Sequence, residues 1–248
     1  MRLIHMTDSH IFADVDGRLG GIETRRSFDA VLAAVTAGGD FDLLVLGGDN
    51  SMDGTVASYC WLSGRLDAIV PAVMIVAGNH DEPSAWPRHS DVEFDDAPRV
   101  VDHPAWSVIG MSTRVHEHAG GCLDDSDLEA LDSLLDQRRD QHVMIAMHHP
   151  PVKVGSAWID AIGLERTDQF WSVLRRHSQV RAIVSGHVHQ NFDTWHHGVR
   201  VMTTPSTCAQ FARRAATFAL DRQAPGYRII DLRDDGEVET RVMRVLLR

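Results

Sequence analysis

Five stretches of this chain run from a short apolar segment straight into side chains that bind metals. In order they read LIHMTDSH, LLVLGGDN, VMIVAGNHD, VMIAMHHPP and AIVSGHVH. They place Asp8, His10, Asp49, Asn79, His80, His148, His149, His187 and His189 at the ends of segments that read as buried strands. A sheet whose strands all end in Asp, Asn and His along one edge is a platform for a metal site. Borderline divalent ions take carboxylate oxygen and neutral imidazole nitrogen together, and several ligands must arrive at once. A single D-x-H or G-H-x-H carries little weight. Five clusters, each following an apolar strand, carry much more. Asp8 and His10 sit two apart, as do His187 and His189, so each pair shares a face if its strand continues that far.

The remaining periodicity predicts alternating strands and helices that give way to a β-rich end. Strands are expected at 2–7, 42–46, 72–76 (opened by Pro71), 99–103, 106–111, 143–147 and 180–185. Phe28, Val31, Leu32 and Val35 recur at helical spacing after Thr24, a candidate N-cap, and further helices are expected at 54–68, 125–139 and 167–177. Residues 82–99 read as a polar, acidic loop. After Gly186 come short strands at 192–196, 199–203, 227–233 and 237–246, with Asp235-Gly236 as the hairpin turn of the last pair. With no repeat, linker or low-complexity tract, 1–248 reads as one domain that includes the β-rich part 190–248.

Composition narrows the function. A chain of 248 residues with net charge −11 lacks the basic surface that nucleic acid needs, so a small-molecule partner is expected. No apolar run approaches the roughly 20 residues that span a bilayer. The three cysteines, Cys60, Cys122 and Cys208, are far apart and form no CxxC, which suits a reducing compartment. The opening MRLIHMTDSH has no long apolar stretch, and cleaving it would remove Asp8 and His10, so the expected location is cytoplasmic. Monomer and homodimer are both compatible with the sequence.

The motifs Asp8/His10, Gly48-Asp49, Gly78–Asp81, His148/Pro150 and Gly186–His189, in this order, resemble the calcineurin-like metallophosphoesterase superfamily. The resemblance covers residues 8 to 189 and implies a four-layer α/β/β/α sandwich that holds two metal ions. It also implies the ligand sets: Asp8, His10, Asp49 and His189 for one ion, and Asp49, Asn79, His148 and His187 for the other, with Asp49 bridging. N/O ligation accommodates Fe, Mn, Zn or Co, and the family implies Fe or Mn. Two divalent ions bring +4 against −2 from Asp8 and Asp49, so the residual charge would attract a phosphate ester and acidify a bound water into the attacking hydroxide. His80 follows the ligand Asn79 and is placed to protonate the leaving oxygen.

More of the chain resembles a narrower group, the bacterial CpdA-type (Icc) 3′,5′-cyclic nucleotide phosphodiesterases. The similar segments are Trp158-Ile159-Asp160, GLERTDQFWSVLRRHSQVRAIVSGHVHQ, SY at 58–59, PSTCAQF at 205–211, FALD at 218–221 and PGYR at 225–228. The resemblance implies hydrolysis of 3′,5′-cyclic AMP to 5′-AMP. The alternatives are another diester (a glycerophosphodiester or a 2′,3′-cyclic nucleotide), a phosphomonoester, or a catalytically silent scaffold on the same fold. Asn50, Arg166 and Met111-Ser112 in the 110–121 loop depart from the group's pattern and direct attention to substrate preference. Candidate substrate contacts are His149, Trp158, Asp160 and His116, while His5 reads as a core residue.

Overall fold

The computed structural model describes residues 1–69, 72–88 and 90–247, so the expectation about Pro71 lies outside the described residues. The first half of the chain forms β1 (Arg2–Met6), β2 (Arg18–Leu19), β3 (Ile22–Glu23), α1 (Thr24–Ala37), β4 (Leu43–Leu46), α2 (Val56–Leu66), β5 (Ala72–Ile75), β6 (Arg99–Asp102) and β7 (Trp106–Met111). It continues with α3 (Asp125–Asp136), β8 (His142–Met147), α4 (Ala157–Asp160), α5 (Thr167–Leu174), β9 (Val180–Ser185), β10 (Phe192–His196) and β11 (Val199–Thr203). The chain closes with β12 (Gln210–Phe211), β13 (Leu220–Asp221), β14 (Gly226–Leu232) and β15 (Val238–Arg244).

Two sheets are built from these strands. One has the order β15-β14-β1-β4-β5, the other β10-β11-β9-β8-β7-β6. The first sheet is parallel over β1, β4 and β5 at one end and antiparallel over β14 and β15 at the other, while the second is parallel in its centre (β7, β8, β9 and β11) with antiparallel β6 and β10 at its edges. Parallel strands need covered faces, and the period-2 alternation of side chains supplies both coverings. Leu3, Leu43, Val45 and Met74 of the first sheet pack with Val108, Met144, Ala182 and Val184 of the second. Their neighbours Ile4, Met6, Leu44 and Leu46 turn the other way, onto Phe28 and Val31 of α1 and Tyr59 and Leu62 of α2. On the far side Ile109, Val143, Ile145 and Ile183 meet Leu128 and Leu131 of α3 and Phe170 and Leu174 of α5. The layers therefore run α/β/β/α, as the resemblance implies.

Some elements differ from expectation. Thr24 is the first residue of α1, with Glu23 at the cap position and no side-chain capping bond. The 82–99 stretch is more than a polar loop. Its Trp86 and Phe94 pack with Tyr59 at ring distances of 5.6 and 5.9 Å, an aromatic cluster that the surrounding acidic residues hide in composition. The ribbons β2–β3 and β12–β13 have only two residues per strand, too few for a periodic signal.

Trp106 is fully buried in the layer between the sheets and donates its indole N–H to the Arg233 carbonyl at 2.6 Å. Trp106→Ala removes both the ring and that bond. It is expected to cost about 3–5 kcal/mol and lower the Tm by roughly 10 °C, read by scanning calorimetry.

Candidate metal centre

The chain leaves β1, β4, β5, β8 and β9 at one edge of the sandwich, and the residues just beyond those strands meet there. Asp8, His10, Asp49, His187 and His189 all have positive φ, between 47° and 67°. Non-glycine residues enter this left-handed region at a cost of roughly 1–2 kcal/mol each, and such outliers cluster at functional sites. The expectation that Asp8/His10 and His187/His189 share a face through strand alternation is therefore corrected. The strands stop at Met6 and Ser185, and the turned backbone aims these side chains instead. Glycines clear the space. A Cβ on Gly48 would collide with the His148 ring, and one on Gly78 with the Asp49 carboxylate.

Donors and acceptors reveal what the cluster is built for. His189 donates Nδ1–H to the Ala209 carbonyl at 2.7 Å, so its Nε2 carries a lone pair. That lone pair lies 3.3 Å from Asp8 Oδ1 and 3.1 Å from His10 Nε2. His148 donates Nδ1–H to the Gly47 carbonyl at 2.8 Å, and its Nε2 faces Asp49 Oδ1 at 3.4 Å. Asp49 Oδ2 is 3.7 Å from His10 Nε2, so this one carboxylate stands between both histidine groups. In the neutral His189 ring Nε2 meets Asp8 acceptor to acceptor, an arrangement that a cation between them relieves. Moreover, His10 Nδ1, Asn79 Oδ1, His148 Nε2 and His187 Nε2 are buried without a hydrogen-bond partner, which buried polar atoms rarely tolerate. Sets of these residues, including Asp8–His10–His189 and Asp8–Asp49–His148, bring their ligand atoms close enough to hold an ion. The donor set fits metal.

Protonation follows the same logic. Burial pushes His10 down to about 3, and burial with the neighbouring histidines takes His187 well below its usual value. Burial also opposes ionisation of Asp49, but His148, with His10 and His80, outweighs it and holds the carboxyl well below the ordinary range. These are the states in which each group offers a lone pair. Burial opposes a charge on His148 too, yet Asp49 lifts it to about 9, so a metal ion there must displace a proton.

Asp81, which carried no assigned role in the sequence, holds the loops together. It is buried and accepts from the Asn50, Ser51 and Gly78 backbone N–H groups at 3.0 Å, from Asn50 Nδ2 at 2.9 Å and from Tyr59 OH at 3.0 Å. Burial and Asp49 push its carboxyl up to about 6 in spite of these donors. Asn50, a departure from the group's pattern, is thereby explained as part of this clamp. His80 is exposed, its backbone N–H bonds Asp49 Oδ1 at 2.9 Å, and its ring lies edge-on to His10 at 5.1 Å. Arg114 secures the same loop, donating Nε–H to the Asp81 carbonyl at 2.6 Å while pairing with Glu82 and Asp96.

The expected substrate contacts fare differently. His149 is fully buried, its nitrogens lie 2.8 Å from Thr113 Oγ1 and 3.1 Å from the Ala119 carbonyl, and its ring packs on His187 at 4.4 Å. One of its nitrogens lies within 4.8 Å of ligand atoms of His148 and His187, so it belongs to the buried histidine group. Asp160 spends both oxygens on the Val154 and Gly155 N–H groups, which makes it a loop cap. Arg166 pairs with Asp125 on α3 and is occupied there. His116 is exposed in the 110–121 loop, 3.4 Å from Arg114. Trp158 does lie near the cluster, packing on Phe211, whose ring stacks flat on His189 at 3.8 Å. Phe211 ends the PSTCAQF segment but had no site role in the sequence, since its position depends on how β12 returns. His5 is buried against Thr204 Oγ1 at 2.6 Å, as a core residue.

The comparisons with known proteins agree with this geometry. The family model for the calcineurin-like phosphoesterases matches residues 1–191. The chain belongs to that family and is a phosphoesterase. It is 36% identical over 247 residues to the 3′,5′-cyclic adenosine monophosphate phosphodiesterase CpdA of Vibrio vulnificus, covering 99% of this chain and 90% of that protein. It is 35% identical to the CpdA of Pseudomonas aeruginosa, covering 98% and 89%. Among solved structures, a dimetal phosphatase from Danio rerio superposes with a TM-score of 0.68 at 15% identity, covering 99% of both chains, which supports the fold.

Asp81→Asn keeps the size of the clamp but sets an NH₂ group against its donors. The expected cost is about 2–3 kcal/mol, a Tm lowered by roughly 5–10 °C in calorimetry. A second measurement addresses the unpaired atoms. Adding Mn²⁺ to metal-free protein at a hundred times its Kd is expected to add about 2.7 kcal/mol, with a much smaller gain in Asp49→Asn. No stabilisation of the unaltered chain would sink the metal reading.

Proposed function

We propose that this protein hydrolyses 3′,5′-cyclic AMP to 5′-AMP at a two-metal centre. Asp8, His10, Asp49 and His189 would hold one ion, and Asp49, Asn79, His148 and His187 the other. The observation that carries the reading is the convergence of imidazole nitrogens on two buried carboxylates, in a chain aligned along nearly its whole length with relatives named as cyclic AMP phosphodiesterases. Fe or Mn is the expected metal, and bound ions would supply Lewis-acid polarisation of the phosphoryl group and a nucleophile at neutral pH.

The chain's own residues provide the rest. Asp49 orders the His80 backbone, and the Asp81 clamp with Arg114 fixes the loop that carries it. His80, exposed at the rim, holds the proton that passes to the ribose O3′ as the P–O3′ bond breaks and water oxygen joins phosphorus. His149 keeps the His187 ring in place from behind. No helix among the described residues is long and apolar enough to cross a membrane. We read the chain as a single cytoplasmic domain acting on a small phosphodiester.

The test compares initial rates on 3′,5′-cyclic AMP, 2′,3′-cyclic AMP and a glycerophosphodiester with Mn-loaded protein. The highest kcat/KM is expected for 3′,5′-cyclic AMP, with Asp49→Ala inactive. His80→Ala is expected to keep its metal content, measured by elemental analysis, while kcat falls about 10²–10⁴-fold. Loss of metal in step with loss of rate would overturn the role given to His80.

A further inference from the structure

A line of aromatic rings leads outward from the candidate centre. Phe211 stacks on His189 at 3.8 Å with an interplanar angle of 9°. Trp158 and Phe218 each meet Phe211 edge-on, at 5.1 and 5.4 Å, and meet each other at 5.2 Å. Phe218 is the outermost ring and remains 59% exposed. A lone exposed aromatic needs no explanation, but this one ends a continuous stack that begins on a candidate metal ligand.

The rings are carried on a short ribbon. Phe211 and Phe218 belong to the ribbon formed by β12, β13 and the loop between them, closed by the Ala212 N–H to the Ala219 carbonyl at 2.8 Å. Leu220, 45% exposed, lies against Gly20 of the 18–23 turn. Charge points the same way. Residues 210–222 carry three arginines (Arg213, Arg214 and Arg222) against one carboxylate, Asp221, in a chain whose net charge is −11. Arg213 lines a small cavity with His189 and Phe211 and makes no hydrogen bond to the described residues.

We propose that the base of the nucleotide stacks on the Phe218–Phe211 edge of this ribbon while its phosphate lies at the metal centre, with Arg213 adding positive charge beside the path. The proposal rests on the cyclic-nucleotide reading above and says which element reads the base. Aromatic platforms bind bases through their π faces, and losing one such stack weakens binding about tenfold.

The test is calorimetric titration of Mn-loaded protein with AMP and with ribose 5-phosphate, which share the phosphate and differ in the base. The unaltered protein is expected to bind AMP about tenfold more tightly. In Phe218→Ala, whose side chain is exposed, AMP should fall to the level of ribose 5-phosphate while ribose 5-phosphate is unchanged. Phe218→Trp should restore the difference. Equal affinity for the two ligands in a protein that does hydrolyse cyclic AMP would overturn the base platform alone. Absence of both hydrolysis and any AMP preference would overturn the functional reading with it. If Phe218→Ala instead splits a dimer in sedimentation and leaves AMP affinity intact, the ring is a subunit contact and the proposal fails.

Discussion

Asp49 is the group on which the site depends. Its carboxylate is buried, one oxygen faces His148 and the other His10, and the backbone that carries it is in the left-handed region. A buried carboxylate is tolerated only when paired, so its surroundings must keep positive charge within reach. Four further candidate ligands share the same unusual backbone. Together the five could cost up to about 5–10 kcal/mol, comparable to the whole stability of an ordinary domain. Hydrogen bonds within the loops, such as the His187 N–H to the Asp8 carboxylate at 3.0 Å, offset part of that cost.

The rest comes from the sandwich. Three apolar layers lock the strands whose ends feed these loops, so the turns begin from fixed points. Asp81 then joins the loop after β4 to the loop after β5, taking hydrogen bonds from both and from Tyr59 on α2. Tyr59 in turn packs on Trp86 and Phe94. The outer helical layer, the acidic stretch near residue 90 and the centre are thus mechanically continuous. A metal ion would relieve the acceptor crowding that this rigidity imposes.

Much of this could be read from sequence because strand-to-ligand junctions are local. LLVLGGDN encodes both a buried strand and the ligand at its end, and five such junctions set the edge of the platform. The layer order came from resemblance, but alternation within each strand accounts for it physically. The residues that escaped reading depend on distant partners. Asp160 resembles a site carboxylate until Val154 and Gly155 occupy it. His149 resembles a contact residue until Thr113 and the Ala119 carbonyl take its nitrogens. Arg166 lies next to α5 in sequence, yet its partner Asp125 is on α3. Phe211 and Phe218 meet only through a two-residue ribbon with no period to detect.

Charge also bears on which phosphate ester suits the centre. Arg114 touches the Asp81 carbonyl beside His80, but Glu82 and Asp96 already neutralise it. Arg166 is paired with Asp125. Two further cations stand at the margins: Lys153, which shares a cavity of about 110 Å³ with His187, and Arg213 on the ribbon. A phosphomonoester brings two negative charges and its recognition calls for arginine forks aimed at the phosphate. A cyclic diester brings one. With Arg114 and Arg166 each engaged by carboxylates, the electrostatics favour the monoanionic diester, and discrimination among diesters is left to whatever touches the part of the substrate that carries no charge.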